Sequence, residues 1–221
     1  MPMTEYPVPV LSPLETRVLG VMVEKQLTTP DNYPLTLNAL TAGCNQKTSR
    51  DPVMNAAETE VQEVLDELKG KNLVIQTWGA SRRVVRHGHN LPKILNTDTG
   101  TTALIVALML KGPQTPGELR IACDRLHEFA DLSSIEAYLE EMAARPGGAL
   151  AVRLPKQPGA REHRWAHLLN GPIDTALAMA AGEERGETGK SRLSALEEEV
   201  AQLRSDLAEL RMMVEEALTR P

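Results

Sequence analysis

Apolar residues recur along this chain at two periods, and the switches between them mark out the elements. Leu14, Val18, Val21 and Met22 fall at helical spacing, with Lys25 in the same frame, behind a start signal at Ser12-Pro13-Leu14-Glu15. Ser as N-cap, Pro at the first helical position and Glu at the third predict a capping box, and this helix stops near Gln26. LTLNALTAGC predicts a second helix, with Leu37, Ala39 and Leu40 as its apolar face and Gly43 as an end signal. After the polar stretch NQKTSRDP, Val61, Val64, Leu65 and Leu68 mark the buried stripe of a third helix, which Gly70 ends. The period then drops to two. LVIQTW and RVVRH read as strands joined by Gly79-Ala80-Ser81-Arg82.

Helix, helix, helix, strand, turn, strand is the order of a winged helix-turn-helix, and residues 98–170 repeat it. Thr101 to Lys111 form an apolar helix, and Thr115-Pro116-Gly117-Glu118 is a second capping box opening a helix through Cys123. Ile135, Leu139 and Met142 give the stripe of a third helix. ALAVRL and EHRWAHL are strands around a turn in KQPGAR. Cys44 and Cys123 both lie late in the second helix of their unit, and VQEVLDELKGKNLVIQTW and IEAYLEEMAARPGGALAVRL share a helix-then-strand pattern. The predicted fold is mainly α (α+β): two tandem winged helix-turn-helix domains, 8–96 and 97–170, followed by a flexible linker at 171–190 and a C-terminal coiled-coil helix at 191–221. In that last segment Leu193, Leu196, Val200, Leu203, Leu207, Leu210 and Val214 alternate spacings of three and four, with Ala217 continuing the frame. Val at a with Leu at d favours a parallel two-stranded coil, so a homodimer is expected, with Glu199 facing Arg204 and Asp206 facing Arg211 across it.

The charge is uneven, and this changes the picture. The net charge of −6 argues against a protein that coats nucleic acid indiscriminately. Residues 1–96 carry 10 Lys+Arg and 10 Asp+Glu, 97–170 carry 8 and 9, and 171–221 carry 6 and 11, so most of the acidity sits in the tail. With one Phe, three Tyr and two Trp the cores are aliphatic. Trp78 and Trp165, on the second-period segments, are expected to be core or domain-contact residues rather than base-stacking platforms. Cys44 and Cys123 form no CxxC pair and are expected to be buried, reduced thiols in a cytoplasmic protein. MPMTEYPVPVLSPLE has no apolar core of a signal peptide, and the longest apolar run, Ala103 to Leu110, is too short to span a bilayer, so no membrane association is expected.

The stretch LSPLETRVLGVMVEKQLTTPDNYPLTLNALTAGCNQKTSRDPVM, followed by VQEVLDELKGKNLV, resembles the uncharacterised bacterial YceH-like family. The similarity covers about residues 8–170, and Glu24 to Met54 is its most distinctive part. The resemblance implies a cytoplasmic protein with two winged-helix domains in tandem. It brings no activity, substrate or catalytic residue with it.

Two functions fit this pattern. One is DNA-associated regulation. Arg82, Arg83 and Arg86 fall where a wing meets phosphate, and Lys47, Thr48, Ser49 and Arg50 ahead of the third helix supply further phosphate contacts. Asn55, Thr59 and Gln62 at the start of that helix are the candidates for base contact. Against this, its exposed face carries Glu58, Glu60, Glu63, Asp66 and Glu67, and five carboxylates near phosphate repel. The third helix of the second unit, with Glu136, Glu140 and Glu141, is no better placed, and its turn adds only Lys156 and Arg161. The other function is a protein-interaction module whose acidic third helices bind a basic partner. A solvated hairpin with no binding role explains the arginine cluster equally simply. No catalytic role is expected: the glycines match no phosphate-cradling loop, and no Ser or Cys stands with a His and an acid. The histidines at 87, 89, 163 and 167 lack the convergent ligands of a metal site, and no cofactor is expected.

Overall fold

A computed structural model describes residues 8–78, 84–157, 159–173 and Gln202. Helix α1 spans Pro13–Thr28 and opens with the expected capping box: Glu15 N–H donates to Ser12 Oγ, and Ser12 N–H donates to the Glu15 carboxylate. A short 3-10 turn, Pro30–Asn32, leads to α2, Leu37–Cys44, with Thr36 as N-cap. Helix α3 spans Glu58–Gly70, and its buried residues are Val61, Val64, Leu65 and Leu68, the stripe that the spacing predicts. Strands β1, Val74–Trp78, and β2, Val85–His89, form an antiparallel hairpin with Trp78 opposite Val85. A short helix α4, Leu91–Leu95, which the sequence pattern did not disclose, crosses to the second half. There follow α5 (Thr99–Lys111), α6 (Pro116–Cys123), α7 (Leu132–Ala144) and the hairpin β3–β4, Ala151–Arg153 with Trp165–His167.

The two halves repeat each other closely. α2 and α6 are both eight residues long, and α3 and α7 are both thirteen. Thr36 and Thr115 cap the second helices through the same side-chain oxygen, and Cys44 and Cys123 end them. In each half the residue before that cap pairs with the second strand of the hairpin. Leu35 and His87 exchange backbone hydrogen bonds of 3.0 and 2.7 Å, and Gln114 and Trp165 exchange bonds of 3.0 and 2.7 Å.

The halves also share one core. The sequence spacing singles out Leu14, Val18, Val21 and Met22 on α1, yet Thr16, Arg17, Leu19, Gly20 and Val23 are buried as well as Val18, Val21 and Met22. The reason is α5, a helix buried along almost its whole length, which covers the side of α1 that a free-standing unit would expose. Gly20 permits the approach: a Cβ there would stand 2.9 Å from Leu110 Cδ2. Asp51 N–H donates to Leu110 O at 2.8 Å and Leu11 N–H to Leu169 O at 2.7 Å, which ties the first half to both ends of the second. Among the described residues no helix is long and apolar enough to cross a membrane.

Candidate binding surfaces

α3 is held by its apolar stripe and by Glu60, whose carboxylate accepts from Ala57 N–H at the helix start. The other side faces solvent and carries Glu58, Thr59, Glu63, Asp66 and Glu67. Glu58 accepts from Asn38 Nδ2 of α2 at 3.1 Å, and Asp66 accepts from Gln62 Nε2 at 3.2 Å. None of the five acidic residues of α3 is in an ion pair among the described residues. Thr59 and Gln62, expected to read bases, therefore sit within a field of carboxylates.

The proposed phosphate contacts divide. Lys47 and Ser49 are exposed on the connection between α2 and α3. Arg50 is not a surface residue. Its side chain is 0% exposed, and its Nη1 and Nη2 hold the two carboxylate oxygens of Glu24 at 3.0 and 2.5 Å. Its Nε donates to Gly43 O and Nη2 also to Gln46 Oε1. A guanidinium enclosed in this way is unavailable to a phosphate. Asn55, expected at the start of the third helix, lies in the connection before it, because the helix begins only at Glu58. This connection is far longer than the three or four residues of a simple helix-turn-helix. Asn45 closes it, its side chain exchanging two 2.8 Å bonds with the backbone of Ala56. Arg86 is half-buried, and its Nη1 donates to Pro34 O at 2.8 Å. Arg82 and Arg83 lie outside the described residues, as do the dimerisation positions Leu193, Leu196, Val200, Leu203, Leu207, Leu210 and Val214.

Sequence reasoning missed Arg17. It is 1% exposed in the middle of α1, and its guanidinium donates to Cys44 O at 3.1 Å and Pro52 O at 2.6 Å. Its Nε is buried without a hydrogen-bond partner among the described residues. Burial, and then the charge of Arg50, lower its pKa. The signal was an arginine inside the apolar run LETRVLGVMV. Arg17, Glu24 and Arg50 together organise the distinctive Glu24–Met54 segment, which makes that segment architectural.

Trp165 is buried as expected, but Trp78 is 62% exposed at the end of β1, beside Val84 and Val85, which also face solvent. It extends the inward face of the hairpin past the edge of the core. Burial pushes the thiols of Cys44 and Cys123 up to about 12, which makes them inert at neutral pH. Among the described residues no group of three His, Cys, Asp or Glu side chains is placed to hold a metal ion.

A family described as "Protein of unknown function, DUF480" matches residues 11–160. A UPF0502 protein of Dechloromonas aromatica is 53% identical over 206 residues, covering 91% of this chain and 96% of the relative. A UPF0502 protein of Burkholderia thailandensis is 51% identical over 205 residues, covering 93% and 86%. These matches bear out the resemblance carried by residues 8–170.

Proposed function

This chain belongs to the DUF480 family, and we propose that it is a non-catalytic interaction module of two winged-helix units whose third helices engage a basic surface on a protein partner. The observation that carries this reading is the exposed face of α3, where Glu58, Glu63, Asp66 and Glu67 stand without an ion pair among the described residues. Unpaired carboxylates on a rigid helix attract cations and repel phosphate, and they steer association with a basic partner. The repeated helix–helix–helix–hairpin order and the matching Leu35–His87 and Gln114–Trp165 bridges support the winged-helix reading. The heptad frame at 191–221 supports a homodimer, which would present four such units and raise a weak affinity by avidity.

DNA-associated regulation is the second reading. It rests on the basic cluster Arg82, Arg83 and Arg86 together with exposed Lys47 and Ser49. The two are separated by crosslinking in the native host with wild type and with the Glu58→Gln, Glu63→Gln, Asp66→Asn variant. The interaction reading expects one protein partner that the variant loses. A partner retained by the variant, or recovery of chromosomal DNA in its place, would overturn it.

A further inference from the structure

β1 is the outer strand of its sheet. Its only strand neighbour among the described residues is β2, and the far side of β2 is taken by Leu35. The direction of each backbone group on β1 follows from the bonds of β2. His87 exchanges both of its backbone bonds with Leu35, and His89 N–H donates to the Tyr33 hydroxyl at 2.6 Å, so neither turns towards β1. Asn90 N–H, by contrast, donates to Leu73 O at 2.9 Å. Antiparallel partners alternate between pairs that exchange hydrogen bonds and pairs that do not. Gln76 stands opposite His87, Val74 opposite His89 and Trp78 opposite Val85. Val74, Gln76 and Trp78 therefore aim their N–H and C=O groups out of the open edge.

That edge lacks the features that keep sheet edges from pairing, which are short length, charge and proline. VIQTW holds no charge and no proline, and it leaves Ile75 50% and Trp78 62% exposed. The corresponding strand in the second half has all three. β3 is three residues long, carries Arg153 beside Glu140 of α7 at 3.6 Å, and is followed by Leu154 and Pro155.

We propose that β1 pairs antiparallel with β1 of a second copy of this chain, with Gln76 on the two-fold axis. Gln76 then faces Gln76 of the other copy and Val74 faces its Trp78, so every outward N–H meets a C=O. The same register sets the exposed Trp78 of one copy beside Val74 of the other, where that copy's core begins, and sets Ile75 beside Thr77. Charge favours a second copy over a basic partner at this edge. VIQTW offers no carboxylate to a basic strand, and residues 1–96 carry 10 Lys+Arg and 10 Asp+Glu, so two copies of this half meet without net repulsion. A strand pair this short holds two chains only weakly, so it forms inside the dimer for which the heptad frame at 191–221 supplies the local concentration. The inference rests on that homodimer and not on the acidic third-helix face.

The test is oxidation of the full chain carrying Gln76→Cys with oxidised glutathione, followed on non-reducing gels, beside light scattering of the unoxidised chain. Facing residues of a hydrogen-bonded pair stand about 5.5 Å apart at Cα, within disulfide reach, whereas Thr77 of the two copies, out of step with each other, stand beyond the limit of about 7 Å. The expected result is a covalent dimer that forms at least about tenfold faster for Gln76→Cys than for Thr77→Cys. Wild type should give none, because Cys44 and Cys123 are buried. A second measurement leaves Gln76 and its bond from Lys69 in place. Ile75→Cys and Thr77→Cys chains, both altered at exposed positions, should crosslink when mixed and not when alone. Equal rates for Gln76→Cys and Thr77→Cys, a mixture no faster than its components, or no covalent dimer from a chain that scatters as a dimer would overturn the strand pairing and leave the homodimer standing. A chain that scatters as a monomer overturns both.

Discussion

Arg86 and Arg164 hold the same place in the two halves. Each donates from Nη1 to the carbonyl of the proline two residues before a helix N-cap, Pro34 and Pro113, at 2.8 Å in both cases. Arg164 goes on to pair with Glu118 at 2.8 Å, whereas Arg86 has no ion pair among the described residues. Shared geometry of this kind points to a fastening between hairpin and second helix, and it removes part of the reason to read Arg86 as a phosphate contact.

That fastening has a measurable worth. Arg86→Ala leaves a partly buried carbonyl without its charged donor, and it should lower the free energy of unfolding by about 1–2 kcal/mol. Urea denaturation measures this as a lower midpoint with an unchanged slope. A midpoint equal to wild type would return Arg86 to the list of free surface cations.

The Glu24–Arg50 pair should be far more sensitive. Arg50 has no exposed side-chain surface, so Glu24→Ala would strand a buried guanidinium at a cost of about 3 kcal/mol. The double variant Glu24→Leu, Arg50→Met should cost less than Glu24→Ala alone, since it removes the charge together with its partner. Equilibrium unfolding of the three proteins checks the ordering.

Acid should weaken the fold before most carboxylates titrate. Burial lowers the pKa of His89 and His167 from 6.5 to about 4, and lowers His87 in the same direction. His89 Nδ1 is buried without a partner among the described residues, so a proton added there finds no acceptor. In the unfolded chain these imidazoles take up protons near pH 6.5, earlier than in the folded one. Their contribution is therefore complete above about pH 6.5 and is lost as pH falls towards about 4. Thermal midpoints measured across that window should decline, and His89→Gln should flatten the slope.

The heptad frame makes its own prediction. Deleting residues 191–221 should convert a dimer to a monomer, read by light scattering after gel filtration. A truncated chain that stays dimeric would place the interface within residues 1–190.

Much of the fold was legible because local signals agreed. The capping boxes at Ser12 and Thr115 and the stripe on α3 name their elements, and the structure keeps all three. The strongest mark of duplication went unread: Arg86-x-x-His89 and Arg164-x-x-His167 differ only between the ends, at positions that pairing and burial decide. Arg50 was misplaced because charged side chains are mostly exposed, and nothing local discloses a partner 26 residues away. Trp78 was misplaced for the opposite reason. Its strand alternates like a buried one but runs on past the core it packs against.

A third-helix face that engages a basic protein through its carboxylates should repel phosphate. The measurement that tests it most directly is the binding of the full chain to mixed-sequence duplex DNA as salt is varied, for wild type, for Glu58→Gln, Glu63→Gln, Asp66→Asn, and for Arg82→Ala, Arg83→Ala, Arg86→Ala. The account expects no saturating binding by wild type near physiological salt, and a gain when the carboxylates are neutralised. Wild-type binding with a steep salt slope, made shallower by about one unit for each arginine removed, would contradict it and establish the hairpin as a DNA contact.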